Sequence, residues 1–337
     1  MKKRLFFIVT LLLAFAGYCQ TAEDYLSKGD EKLQLQDYDG AIADYTKAVK
    51  IKQDYADAYF HRGIAKNNLH NYKGAIADYT KAIEINPKNP LPYFNRGCAR
   101  YDQQDYNNAS ADFTIVVEND PEFARGYVSR ALAKAALNDF SGAVADYSLA
   151  IAINPEYGEA YYHRGIAKNE LTDYKGAIDD FTKTIKIRPR DVNAWVQRGV
   201  ANSALKDFNS ALADYNKAVT IDSMSAEAYY YRGVLKCDLE DFSGAVADFS
   251  KAIAIDPESE KYYLNRGLAY GKLLFQDKAI TDFSKVIELK PDDSEAYYNR
   301  GLAKIAAGLK DSGCRDLNKA NKSGNTKAFE AMKNWCE

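Results

Sequence analysis

The chain is poor in the residues that metal and nucleophilic chemistry use. Only three histidines occur in 337 residues, His61, His70 and His163. A zinc site needs three or four converging ligands, and neither these histidines nor the five cysteines cluster in sequence. Gly-rich phosphate loops, an HExxH helix and a Ser-His-Asp arrangement are also missing. Acid pairs such as Asp179-Asp180 and Asp292-Asp293 read as solvated faces of helices and turns. The chain is therefore expected to be no enzyme and to need no cofactor or metal. Positive charge is not in excess either, since 45 Lys and Arg stand against 47 Asp and Glu. Nucleic-acid binding needs a basic footprint that this balance lacks.

No apolar run reaches the roughly 20 residues of a membrane span. The longest, Leu5 to Phe15, follows Lys2, Lys3 and Arg4 and precedes small residues at Gly17 and Cys19. A basic start, a short apolar stretch and a small-residue zone make residues 1–19 a secretory signal peptide. Cleavage is expected between Cys19 and Gln20, with Ala16 as the second choice. Bulky Tyr18, where a lipoprotein signal wants a small residue, disfavours a lipid anchor on Cys19. Removing the leader takes the basic count from 45 to 42 against 47 acids, a net of −5. The exported chain, periplasmic or secreted, is then acidic and unsuited to anionic membrane surfaces.

What the chain has in abundance is repetition. The stretch Ala56–Asn89 returns at a shift of 34 residues: Tyr59 becomes Tyr93, Tyr127, Tyr161, Trp195, Tyr229, Tyr263 and Tyr297. Ala75 becomes Ala41 one step back and Ala109, Ala143, Ala177, Ala211, Ala245 and Ala279 going forward. A fixed period without insertions specifies a solenoid, in which each unit packs on its neighbours. Nine units, starting at residues 22, 56, 90, 124, 158, 192, 226, 260 and 294, consume the chain to Lys327. Each reads as two helices. In the second unit, Tyr59, Gly63, Ala65 and Leu69 mark one face of a helix over Asp57–Leu69. Asn71 caps the next helix, Lys73–Ile85, as Asp105, Asp139, Asp173, Asp207 and Asp241 do elsewhere. Pro87, and later Pro121, Pro155, Pro189, Pro257 and Pro291, end these second helices.

In this order of Tyr59, Gly63, Ala75, Tyr79, Ala82 and Pro87, the chain resembles the tetratricopeptide repeat family over residues 22–327. The resemblance implies an all-α, right-handed superhelical solenoid of helix-turn-helix repeats that binds protein or peptide. Its first helices then line the concave face. Carried to this sequence, that face holds Phe60, Ile64 and Asn67, then Phe94, Cys98 and Tyr101. Tyr162, Ile166 and Asn169 continue it, with Tyr230 and Val234 further on. His61, Asn95, His163 and Tyr231 give it polar edges. The basic-and-Asn clamp that some members use for a terminal carboxylate is absent, because Phe60 and Ile64 stand in its place. The opposing reading is that these apolar residues only pack between adjacent helices. The function expected is a non-catalytic scaffold holding a peptide or protein segment in the groove. Self-assembly of the chain is the alternative, and a role as an enzyme accessory subunit stands behind both.

Departures from the family pattern carry their own expectations. Before each Gly, where an apolar residue is usual, stand Arg62, Arg96, Arg130, Arg164, Arg198, Arg232, Arg266 and Arg300. A second base often follows four residues later, as in Lys66, Arg100 and Lys134, and like charges at that spacing repel. The second helices offer a matching row from Asp78, Asp112 and Asp146 to Asp316. The spacing predicts a sheltered Arg–Asp ladder, within units or between neighbours. Ala131 replaces Gly in the fourth unit, the sixth lacks its proline at Asp222-Ser223-Met224, and Phe275 replaces the cap in the eighth. The ninth is degenerate, with Gly313 and Leu317 in core places. After the turn Ser323-Gly324-Asn325, residues 326–337 form a capping helix. Cys314 and Cys336 fall at similar height across it, so they are either a disulfide or two separate thiols. Cys98 and Cys237 are read as reduced, packed residues.

Overall fold

The structure, a computed structural model, describes residues 20–336; the signal-peptide reading of residues 1–19 lies outside them. The described residues hold nineteen helices and no strand. First helices of successive repeats are Ala22–Gln34 (α1), Ala56–Asn68 (α3), Pro90–Asp102 (α5), Ala124–Ala136 (α7), Gly158–Glu170 (α9), Val192–Ala204 (α11), Ala226–Asp238 (α13), Glu260–Lys272 (α15) and Ser294–Ala306 (α17). Second helices are Tyr38–Ile51 (α2), Tyr72–Ile85 (α4), Tyr106–Asn119 (α6), Phe140–Ile153 (α8), Tyr174–Ile187 (α10), Phe208–Ile221 (α12), Phe242–Ile255 (α14), Gln276–Leu289 (α16) and Lys310–Lys322 (α18). A last helix, α19, runs over Thr326–Trp335. The contacts divide the chain into two units that meet at Ala167 and Lys168, inside α9. Within each, a helix packs on its own partner and on the next repeat.

Local chemistry sets the hairpins. The second residue after each first helix lies in the left-handed region: Gln36, His70, Gln104, Asn138, Thr172, Lys206, Glu240 and Leu274 have φ between 57° and 63°, and Gly308 in the ninth repeat has φ 83°. His70 then donates its amide to the Asn67 carbonyl and Asn71 donates to that of Lys66, both at 2.9 Å. Asp or Asn follows and caps the second helix, as Asp139 does by accepting from the Gly142 amide. Such a cap is worth about 1 kcal/mol. In the eighth repeat Phe275 makes no side-chain cap.

The core is a stack of second-helix rings. Tyr45, Tyr79, Phe113, Tyr147, Phe181, Tyr215, Phe249 and Phe283 are each at most 3% exposed. Each burial is worth roughly 1.5–3 kcal/mol. Most of these rings press on a first-helix glycine. A Cβ on Gly63 would stand 2.6 Å from Cε1 of Tyr79, so a side chain there would have to push the ring away.

The Arg–Asp ladder is sheltered and joins both levels of the architecture. Arg62 donates from Nε and Nη2 to the two oxygens of Asp78, at 2.8 and 2.7 Å, within its repeat. Its Nη1 donates at 3.1 Å to the Thr46 hydroxyl, on the second helix of the repeat before. The same fork recurs at Arg96, Arg130, Arg198, Arg232, Arg266 and Arg300. Arg164 reaches back in this way to Ser148. The like charge four residues on is drawn to the same carboxylate: Lys66 to Asp78 at 2.7 Å, Lys134 to Asp146 at 2.8 Å. The aromatic three residues before each Arg covers its other face, closest at Trp195 over Arg198 (4.8 Å). Hydrogen bonding to Asp146 raises the pKa of Arg130 further, against the opposing pull of burial.

α19 closes the last repeat by burying only Ala328 and Ala331, while Phe329 and Trp335 are about half exposed. Cys314 and Cys336 are disulfide-bonded with Cα atoms 5.8 Å apart, pinning α19 to α18. Because Asp146 is 2% exposed, Asp146→Ala strands Arg130 and Lys134 without their carboxylate. The expected cost is about 3–5 kcal/mol, read as a lower midpoint in urea; an unchanged midpoint would mean a solvent-screened pair.

Candidate peptide-binding face

First helices turn one side to their partners and leave the other half exposed. On α3, Phe60, His61, Ile64 and Asn67 are all half-buried. Phe60 lies 6.0 Å from the Tyr79 ring and Ile64 packs on the same cluster, so both support the core while facing outward. His61 meets Asp30 of α1, its Nδ1 2.6 Å from Oδ1. The Tyr45 hydroxyl donates to that same oxygen at 2.8 Å. Burial first, and then Asp30, raise the Tyr45 phenol far above its ordinary range. Asp30 was missed by the sequence reading, although it stands in register with Ile64, Cys98, Leu132 and Ile166 as the one acid in an apolar row.

The other residues singled out from sequence divide into two groups. Phe94 is only 7% exposed, enclosed by Phe113, Phe123 and the Arg125 guanidinium. It is mostly core, under the ring of Phe123, and its remaining edge lines a small cavity with Pro90, Leu91 and Val116. Asn95 spends its amide on the Leu91 carbonyl of its own helix. Tyr101 packs edge-on against Tyr106 and lines a cavity of about 140 Å³ with Cys98, Phe113 and Leu132. Tyr162 and His163 meet at 5.2 Å, and His163 stacks on Tyr147. Tyr231 stacks likewise on Tyr215, beside Tyr230. Tyr230 also packs on Tyr262, with Lys261 over both rings. Asn67 and Asn169, equivalent places three repeats apart, each hold a buried Oδ1 without a hydrogen-bond partner among the described residues.

Two larger cavities open on first helices of the second unit. One, about 330 Å³, is lined by Cys237, Asp238, Glu240, Phe242, Asn265, Leu268 and Lys272. The other, about 450 Å³, lies over Leu268, Gly271, Phe283, Tyr298, Asn299 and Leu302. Among the described residues no group of three or more His, Cys, Asp or Glu is placed to hold a metal.

Burial pushes the thiols of Cys98 and Cys237 up to about 11. The nucleophile is the thiolate, so both stay protonated at neutral pH and behave as small apolar residues. Alkylation of the folded chain with iodoacetamide at pH 8 is expected to be roughly 100-fold slower at these two sites than in urea, following the thiolate fraction. Peptide mass mapping over time measures it, and equal rates would place the thiols in water.

Comparison with known proteins agrees with this geometry. A family model described as TPR repeat matches residues 29–69, 235–273 and 276–308. Tetratricopeptide repeat models match 56–89, 94–158 and 192–223. No curated protein matches the chain. Among solved structures, a tetratricopeptide repeat protein from Parabacteroides merdae is 21% identical with a TM-score of 0.60, covering 76% of this chain and 98% of its own. The C-terminal part of a TPR repeat-containing protein from Cytophaga hutchinsonii is 19% identical with a TM-score of 0.60, covering 71% and 98%. The MamA protein is 31% identical over 49% of this chain and 96% of its own, with a TM-score of 0.45. With the ring-on-glycine contact recurring along the described residues and family models matching between residues 29 and 308, the chain belongs to the tetratricopeptide repeat family.

Proposed function

We propose that this protein-interaction scaffold holds a segment of a partner protein along the outward face of its first helices, without catalysing a reaction on it. The observation that carries the reading is where the open space lies. The cavities at Tyr101 and Gly271 both lie along first helices, with floors made by the second-helix rings Phe113 and Phe283. Half-exposed aromatics on a rigid support, rimmed by His and Asn, suit a peptide or helix laid in a groove. Rings are well suited to this, because they add contact area at little conformational cost.

We place the scaffold outside the cytoplasm, periplasmic or secreted, with residues 1–19 removed. The Cys314–Cys336 bond supports this, since disulfides persist in oxidising compartments. Mass spectrometry of the protein from its own cells is expected to find an N-terminus between residues 17 and 20. A chain that keeps Met1 would sink the export reading.

Affinity capture from the exported fraction tests the binding face. Partners held by the native chain are expected to be lost, at least about tenfold, by Phe60→Ser with Tyr101→Ser and Tyr230→Ser. Lys81→Glu with Lys183→Glu, on exposed positions of second helices, is expected to keep them. Equal capture by both variants would remove the first-helix face from the account.

A further inference from the structure

The eighth repeat breaks three local rules within five residues. Gly271 takes the place that Asn67, Tyr101, Ala135, Asn169, Ser203, Cys237 and Ile305 hold in other repeats. A Cβ built on Gly271 meets nothing within 4 Å, so the residue is not there to let a neighbour approach. Glycine inside a helix costs stability relative to alanine, and nothing in the packing of this helix recovers it. The turn that follows puts Leu274 at φ 63°, 78% exposed, where the other repeats before it have mostly polar residues. Phe275 next to it is 51% exposed where the cap Asp belongs. Local rules broken together, with no internal compensation, are the mark of a functional site.

What the glycine leaves is the cavity of about 450 Å³, within the size range of ligand sites. Leu268, Phe283 and Leu302 give it an apolar floor, and Gln276 and Asn299 line it with carboxamides. Lys272 is its only charged lining residue and, among the described residues, is drawn into no ion pair. Lys272 and Leu268 also border the second cavity, where the charges are those of Asp238 and Glu240. The lining charge thus passes from the single base of the first cavity to two acids against that same base in the second.

Resting on the groove reading above, we propose that the eighth repeat is the specificity site. It seats a large apolar side chain of an extended peptide in the space left by Gly271. An acidic side chain beside that residue pairs with Lys272, and a basic residue on its other flank faces Asp238 and Glu240. The occupant is an internal acid–apolar–base segment, because a terminal carboxylate would end the chain at Lys272 and leave the acidic cavity unmatched.

A library of random heptapeptides, acetylated and amidated at their ends, probed with the full chain tests this. The native protein is expected to enrich a Phe, Leu or Met with an acid on one side and a base on the other. Gly271→Phe fills the cavity and is expected to weaken those peptides about tenfold or more, with its melting temperature held or raised. Lys272→Glu is expected to remove the preference for the acid and leave that for the apolar residue. Selected peptides that Gly271→Phe still binds, but Phe60→Ser with Tyr101→Ser does not, would keep the groove and overturn this assignment. Selection of peptides without the charge pattern would overturn it too. An empty selection would overturn both readings.

Discussion

The guanidinium–carboxylate fork that recurs from the second repeat onward is the constraint on which the rest of the structure depends. One carboxylate, as in Asp78, accepts from Arg62 and Lys66, and the third arm of the Arg reaches the hydroxyl of Thr46. That hydroxyl position is itself prepared. In the next repeat Thr80 donates to the Ile76 carbonyl at 2.7 Å, which leaves its lone pairs to accept from Arg96. A buried charge left with one partner missing is costly, so the fork demands that both helices of its repeat and the second helix before it stand in register. Apolar packing alone, being non-directional, would tolerate sliding of one hairpin on the next.

The ladder and the ring-on-glycine contact together occupy the inner sides of the helices. What remains to the first helices is a row of residues that are neither needed for the core nor fully solvated. The Arg–Asp pairs recur while the residues of that row change, from Phe60 to Tyr162 to Tyr230. A scaffold built this way varies its outward residues at little cost to stability, because few of them share a partner with the ladder. His61 is an instructive exception, since its contact with Asp30 links the outward row of the first repeat to that of the second.

Several features were legible in the residues before any coordinate. Period, helix count per repeat and the turn caps follow from spacing, because a cap such as Asp139 acts on an amide three residues away and needs no tertiary context. The existence of a ladder followed from like charges four apart, which required a compensating row. Its connectivity did not follow. The row at Thr46, Thr80, Thr114 and Ser148 was present to be seen, but a hydroxyl on a helix is more often solvated than an acceptor for a neighbouring repeat. Phe94 looked like Phe60 in register and differs because Phe123 and Arg125 cover it. Gly271 looked like one glycine among twenty.

The tandem helical hairpins were readable from residues that recur at a fixed shift, and the resemblance to the tetratricopeptide family from Tyr59, Gly63, Ala75, Tyr79, Ala82 and Pro87 a few positions apart. Packing settled that the forked Arg pairs inside its repeat and tethers the one before, that Phe94 is largely buried, and that a cavity opens at Gly271. These are facts about empty space and about which of several chemically adequate partners lies within about 3 Å, the reach of a hydrogen bond. Distance of that kind is fixed by packing three helices at once, and no local pattern of residues encodes it.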